Sequence, residues 1–528
     1  MVQQLEAAGI ERVYSVPGES FLDVLDGLHD SDIQNVVARH EGGAGFMALA
    51  EARLTGRPGV VMVTRGPGAA NAAIAVHTAY QDQTPLVLLI GLVPIADRNR
   101  ESFQEFDPHA WFGSTAKKVV VLDHPDSAAE LIDDALFTAA SGRPGPVIIG
   151  VPEDVLTHRT DREAIVPRRA ATPAPSASNM RECVESIAAA ERPLIVAGGD
   201  GWRDGAGQRL ADWAVSAGVP VTTDFRAYDA IPHHSPAYVG SLGYGRGDAL
   251  AERFDTADLL VFVGAVRGDV LSDGYTRGFN AKTIVVNPDA DLLGHLGRVD
   301  LQVVSTPREF VAALPAPPAR TDSQWAEAAR EAHLSFRTPA PHPDQGVDLY
   351  VAMRELEQAL GGQAVVTYGA GNHALWAARY LSHDLPNSLV GPRNGAMGAG
   401  VPAAVAASLI FPDRTVVSVA GDGCFMMNGQ EIATAVGYGG RINIIVVDNG
   451  GFATIIEHQE AHYPGRPSGT HLSNPDFAAL GRAYGLHGET VRETGEFGAA
   501  LERALQSETG SLLHLITDPA TRSPRTDI

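Results

Sequence analysis

VSVAGDGCFMMNGQEIATAVGYGGRINIIVVDNGGFATI, residues 417–455, decides the fold of this 528-residue chain. The apolar run Val416–Ala420 stops at Gly421-Asp422-Gly423. A helical pattern follows, and a second apolar run, Ile442–Val447, stops at Asp448-Asn449-Gly450-Gly451. Short apolar runs bounded by Gly, Asp and Asn read as buried strands that end in turns, so the unit is strand–turn–helix–strand. In an open parallel sheet, ligands lie beyond the carboxyl ends of the strands. Asp422 and Asn449, 27 positions apart, are placed to meet there. Their oxygens suit a hard cation such as Mg²⁺, with phosphate oxygens completing its shell. A plain strand-end loop is the competing reading of the same residues.

The pattern repeats outward along the chain. Val13–Val16, Val60–Thr64, Leu86–Ile90 and Pro146–Ile149 are apolar runs that end at Gly- or Pro-containing turns. Pro193–Val196, Val219–Thr223, Leu259–Val263 and Thr283–Val286 do the same further on, and Val365–Thr367 and Leu512–Ile516 flank the opening unit. Such alternation predicts βαβ units and parallel sheets. RRAATPAPSASN (168–179) and LPAPPARTDS (314–323) read as linkers. The expected architecture is α/β: three consecutive α/β domains with mostly parallel sheets, over residues 1–165, 180–315 and 345–515. The polar tail DPATRSPRTDI is expected to fray.

Composition limits the function. The formal charge of -23 argues against general binding to nucleic acid or anionic membranes, although a local Arg or Lys can still serve an anionic substrate. Two cysteines, Cys183 and Cys424, suggest neither a disulfide scaffold nor a cysteine metal cluster. The opening MVQQLEAAGIERV carries no basic leader or apolar h-region, and no charge-free span reaches membrane length, so a cytoplasmic enzyme is the expectation.

The spaced pair GDG and DNGG resembles the cofactor motif of thiamine-diphosphate enzymes, which usually ends in two Asn; here the first is Asp448. The resemblance implies Mg²⁺ ligation by Asp422, Asn449 and the Gly451 carbonyl. It also implies diphosphate contacts from Gly371, Asn372 and His373, from Gly421, Gly423 and Cys424, and around Asn449 and Gly451. ARHEGGA (38–44) is similar to the segment carrying the activating carboxylate. Glu41 is thereby implied as the catalytic acid–base group at pyrimidine N1′, with His40 orienting the turn. GPRNGAMGAG (391–400) is similar to the segment whose bulky residue supports the bent cofactor. Met397 takes that place, and Gly395 and Met397 offer backbone contacts to the pyrimidine.

Across nearly the whole chain the resemblance is to the acetolactate synthase branch, through VTRGPGAANAAIAVHTAYQDQTPLVLLIG (63–91), SFQEFD (102–107), TYGAGNHALWAARY (367–380) and HLSNPDFAALGRAYG (471–485). It implies decarboxylation of a small 2-keto acid followed by carboligation to an acceptor. It also implies a homodimer or homotetramer with sites across the interface. Phe103 and Gln104 match pocket positions; a surface or interface loop is the alternative. Two departures point elsewhere. Thr454 and His458 in ATIIEHQ (453–459) replace a Met and an acceptor-selecting Trp, and Glu19 replaces a Gly. Glu19 or His458 as a proton donor would release an aldehyde, making a nonoxidative 2-keto-acid decarboxylase the alternative; either is otherwise a solvated turn residue. A noncatalytic thiamine-diphosphate-binding regulatory subunit is the third possibility. His77 is expected to pack or face an interface. VGAVRGDVLSDG (263–274) distantly resembles a flavin-approaching segment, which offers Arg267 to a phosphate of FAD, whereas GSLGYG (240–245) departs from the second flavin pattern.

Overall fold

Every apolar run named above becomes an interior strand. The computed structural model describes residues 1–318, 323–338 and 345–524. Part of the second linker (319–322) and the last four residues of the tail (525–528) lie outside the described residues. Three six-stranded sheets follow one another, and every strand pair between them is parallel.

The first sheet comprises β1 (Arg12–Ser15), β2 (Gln34–Val37), β3 (Gly59–Thr64), β4 (Leu86–Leu92), β5 (Lys118–Val121) and β6 (Pro146–Pro152), in the order β2-β1-β3-β4-β6-β5. The second comprises β7 (Pro193–Ala197), β8 (Val221–Thr223), β9 (Tyr238–Ser241), β10 (Leu259–Val263), β11 (Lys282–Asn287) and β12 (Leu301–Val304), in the order β12-β11-β10-β7-β8-β9. The third comprises β13 (Val365–Tyr368), β14 (Leu389–Val390), β15 (Val416–Gly421), β16 (Asn443–Asp448), β17 (His487–Val491) and β18 (Ser511–Ile516), in the order β14-β13-β15-β16-β18-β17. Counted from its own first strand, the third sheet has the strand order of the first. The shared architecture that the sequence only hints at is therefore a property of the topology.

The first and third sheets are joined through two helices, α1 (Glu41–Thr55) and, further along, the helix Gly400–Ile410. In α1 every residue from Gly42 to Leu54 is buried. A helix buried all round needs apolar or small residues on all faces, which EGGAGFMALAEARLT supplies. A methyl on Gly45 would meet the Ala75 Cβ at 2.3 Å, so small residues set the helix spacing. One continuous core runs from Val36 through Phe46 and Met47 to Ala404 and Ile444. Each large apolar side chain buried there contributes about 1.5–3 kcal/mol. The one acidic group midway along α1, Glu51, is bonded by the Tyr14 hydroxyl and by Arg12 at 3.3 Å.

Two expectations need amending. Only part of the 168–179 stretch is irregular, because the helix Ala177–Ala189 begins inside it with Ser176 as its cap. The tail does not fray as far as Pro524. Trp376 donates to the Arg522 carbonyl at 3.3 Å, Arg379 donates to that of Pro524, and Ser523 is buried. Among the described residues, no helix is long and apolar enough to cross a membrane.

Candidate active site

A cavity of about 250 Å³ opens at the carboxyl ends of β13, β15 and β16. Gly371, Asn372 and His373 follow β13, Gly421 ends β15 and Asp422 to Cys424 follow it, and Asn449 and Gly451 follow β16; all line the cavity. Gly395 and Met397 enter from the 391–398 segment. Every cofactor residue expected in the third unit therefore lines one cavity.

The glycines are spatial requirements here. Gly371 has φ 135°, and a methyl on Gly421 would meet the His373 Nδ1 at 2.8 Å. His373 is 6% exposed, and burial pushes its imidazole down to about 3, so it is neutral at ordinary pH. Its Nε2 and the Asn372 Nδ2 are buried without a partner. Asn372 is oriented by Thr454, whose hydroxyl donates to the amide oxygen at 2.7 Å. The amide nitrogen is thereby left unpaired. Buried orphan polar atoms cost free energy unless a ligand satisfies them; the Asn372 amide is a donor, and the His373 Nε2 becomes a second in its Nε2–H tautomer, which fits diphosphate oxygens beside a glycine-lined hollow.

Asp422 stands opposite. It accepts from the Asn474 amide at 2.8 Å and from the Gly451 N–H at 3.1 Å. Burial pushes its carboxyl up to about 6, with the neighbouring Asp448 adding to the rise and the bonds from Asn474 and the Gly423 N–H opposing it. Asp448, in the place of the usual Asn, turns aside to His514 at 2.8 Å and Asn474 at 2.7 Å. Burial alone would raise Asp448, but the bonds from His514 and Asn474 outweigh it and hold it low. Among the described residues no group of three or more His, Cys, Asp or Glu forms a metal cluster. The donor set at the cavity is one carboxylate, one amide oxygen and one carbonyl, which fits an oxygen-seeking ion that phosphate also ligates.

The segment carrying Gly395 and Met397 is fixed by charges that sequence reading missed. The backbone N–H groups of Arg393 and Asn394 donate to Asp82 at 2.9–3.1 Å. The Arg393 guanidinium reaches Asp200 at 2.9 Å, and Arg53 donates to the Gly391 carbonyl at 3.0 Å. Asp82 and Arg53 belong to the first sheet region, Asp200 follows β7, and Arg393 precedes Met397, so three units meet at one ionic knot. Arg393, a lone cation within a Gly/Ala-rich run, was the available signal.

Glu41 lies elsewhere in the chain. It begins α1 after β2, with His40 capping the helix by accepting from the Gly42 N–H at 3.0 Å. Its carboxylate accepts from Asn71 at 2.9 Å, on the exposed side of α2 (Arg65–Asp82). His77, also exposed on α2, lies 3.1 Å from the Asn394 amide. The Glu41 turn is anchored from the third unit by Glu431, a buried residue that sequence reading also missed, which accepts from the Arg39 N–H at 3.1 Å. Glu19 follows β1 and pairs with Arg65 at 2.9 Å. Gln104 follows β4, with a positive φ of 62° beside the exposed Phe103. These three line up along the carboxyl edge of the first sheet, not along the cavity of the third. His458 is exposed on α3 (Ala453–His462), one turn beyond the cavity-lining Thr454. Arg267, offered to a flavin phosphate, keeps a buried Nε without a partner. It is fully buried and donates to the Leu296 carbonyl at 3.0 Å and the Thr283 hydroxyl at 2.7 Å.

Three domain models of one family match the chain. Residues 1–111 match the family described as "Thiamine pyrophosphate enzyme, N-terminal TPP binding domain". Residues 180–314 match its central domain and residues 369–515 its C-terminal TPP binding domain. The chain is 30% identical to the probable acetolactate synthase large subunit of Methanocaldococcus jannaschii, over 99% of this chain and 92% of that protein. It is 31% identical to the acetolactate synthase isozyme 1 large subunit of Escherichia coli, over 98% and 93%, and 30% identical to the isozyme 2 large subunit, over 98% and 95%. The chain belongs to the thiamine pyrophosphate enzymes, in their acetolactate synthase-like branch.

Proposed function

We propose that this protein is a thiamine-diphosphate- and Mg²⁺-dependent enzyme that decarboxylates a small 2-keto acid and joins the remaining acyl unit to an acceptor. The observation that carries the reading is the cavity in which Asp422, Asn449 and Gly451 face the orphan polar atoms of Asn372 and His373. Asp422, Asn449 and the Gly451 carbonyl hold the metal. Asn372, His373 and the backbone of Gly421 to Cys424 bind the diphosphate, and Gly395 and Met397 support the ring end. When bound, thiamine diphosphate supplies a thiazolium that stabilises the charge left as CO₂ departs. Glu41 holds the proton at pyrimidine N1′, and Gln104 donates to the substrate's oxyanion.

Glu41 stands on the exposed side of α2 and the cavity is walled by the third unit, so a second copy of the chain completes each site. A homodimer or homotetramer follows, with two equivalent sites at one isologous interface. The functional units are residues 1–165, 180–315 and 345–515. A second reading, release of an aldehyde, is favoured by Glu19, which lies on the same sheet edge as Glu41 and Gln104; Glu19 would then deliver the proton.

The test supplies purified protein with Mg²⁺, thiamine diphosphate and a panel of 2-keto acids, then follows CO₂ and identifies the carbon products by mass spectrometry. A hydroxyketo acid supports carboligation, and aldehyde alone supports the second reading. Cofactor uptake without turnover of any acid would leave a binding subunit and overturn both. Glu41→Gln should abolish most turnover while leaving diphosphate affinity.

A further inference from the structure

The first unit carries an arginine that the cofactor reading does not use. Arg65 follows β3 at the first turn of α2, is 8% exposed and has a positive φ of 39°. A non-glycine residue held in that region persists only where its surroundings over-determine it, and such residues cluster at functional sites. One terminal nitrogen of its guanidinium donates to Glu19 at 2.9 Å and the other to Glu153 at 2.7 Å. Both carboxylates are far more exposed than the arginine, so Arg65 is the desolvated member of the trio.

Its neighbours are held equally tightly. The next N–H, from Gly66, donates to the Gln104 carbonyl at 3.0 Å. Gln104 is itself at positive φ, so the bond ties one left-handed residue to the neighbour of another, Arg65. On the other side, a methyl on Gly68 would lie 3.5 Å from the Glu41 carboxylate. The Glu19 turn is wedged against the end of β3: Ser20 and Thr64 hydroxyls lie 2.8 Å apart, and a methyl on Gly18 would meet Thr64 at 2.2 Å. The backbone of Glu19 is thus fixed, and the direction of its side chain is set by Arg65. Glu41, Glu19, Arg65, Gln104 and Glu153 follow β2, β1, β3, β4 and β6, which are successive neighbours in the sheet. Arg65 and Gln104 line one cavity of about 620 Å³ with Leu92, Arg98 and His109.

We propose that Arg65 is a positioning residue of this edge: its guanidinium aims the Glu19 carboxylate and, tied to Glu19 and Glu153, pins its own left-handed backbone, so that the following Gly66 N–H holds the Gln104 loop where a substrate would react; this rests on the functional reading above. The test compares wild type, Arg65→Met, Glu19→Gln and the double variant as full-length holoenzyme. It reads kcat and KM, thiamine-diphosphate affinity by calorimetry, and hydrogen exchange of peptides covering 99–106. Arg65→Met should lower kcat at least about tenfold, keep cofactor affinity within about threefold, and speed exchange in 99–106 at least about tenfold. The double variant should be no slower than the slower single variant, because one residue acts through the other. Arg65→Lys, which keeps the charge but loses the fork, should recover the unfolding midpoint before it recovers kcat. Multiplying losses in the double variant, or unchanged exchange in 99–106, would overturn the proposal. If the wild type turns over no 2-keto acid, the functional reading fails, while the exchange comparison still decides the role of Arg65 in holding the loop.

Discussion

Glu431 and Gly43 offer a perturbation whose outcome follows from distances alone. Glu431 is 0% exposed, accepts from the Arg39 N–H at 3.1 and 3.2 Å, and accepts from the Thr434 hydroxyl at 2.6 Å. Burial pushes its carboxyl up, and the bonds from Thr434 and the Arg39 and His40 backbone oppose the rise. Glu431→Ala strands those donors, which costs about 1–3 kcal/mol. Gly43→Ala introduces a methyl 2.5 Å from the Glu431 Oε1 and 2.8 Å from its Cδ. Overpacking of that kind costs about 1–3 kcal/mol, partly offset by the roughly 1 kcal/mol better helix propensity of alanine. In the double variant the obstructing carboxyl is gone. The two losses should therefore fall short of their sum by about 1–2 kcal/mol. Denaturation midpoints and slopes of the four proteins, with turnover measured beside them, read the coupling. Turnover should fall in both single variants, because both displace the turn that presents Glu41. Additivity within about 0.5 kcal/mol would refute the claim that Glu431 braces this turn.

Other outcomes follow from the same geometry. Asp82→Ala removes the acceptor for the Arg393 and Asn394 N–H groups, so it should loosen the Met397 segment and weaken cofactor binding about tenfold or more, as calorimetry would read. Asp448→Asn should keep cofactor affinity within about threefold, because Asp448 faces His514, whereas Asn449→Ala should lose most of it; equal losses would reverse the assignment of metal ligands. Burial pushes the Asp224 carboxyl up to about 6, against the opposing pull of Arg393. A raised carboxyl contributes stability that is full below about 4 and lost as pH rises through about 6. Asp224→Asn should therefore raise the unfolding midpoint relative to wild type at pH 7.5 and have little effect at pH 4; the opposite trend would contradict the burial argument.

The sequence was most legible where the chain is most buried. Apolar runs mark all twelve interior strands, because a parallel strand covered on both faces must be apolar throughout. None of the apolar runs named from the sequence is one of the six edge strands. Edges such as β12 and β17 are half-exposed and carry polar residues, so LQVV and HGETV look like loop sequence. The cavity residues after β13, β15 and β16 were legible because each sits at the end of a readable strand, whereas Gly395 and Met397, in the segment after the edge strand β14, were legible only through the family resemblance. Arg393, Asp82, Glu431 and Arg65 were not. Their partners are hundreds of residues away or on another strand end, and no local pattern records such a pairing. The tail was misread for the same reason: it is polar in sequence, but its backbone carbonyls serve as acceptors for Trp376 and Arg379.

The central claim is that thiamine diphosphate binds through the oxygen donors of Asp422 and Asn449. Calorimetric titration of the purified protein with thiamine diphosphate in the presence of Mg²⁺ tests it most directly. Saturable uptake by the wild type that disappears in Asp422→Ala and on removal of the metal is the predicted result. Absence of uptake by the metal-replete wild type, or full uptake by Asp422→Ala, would contradict the account.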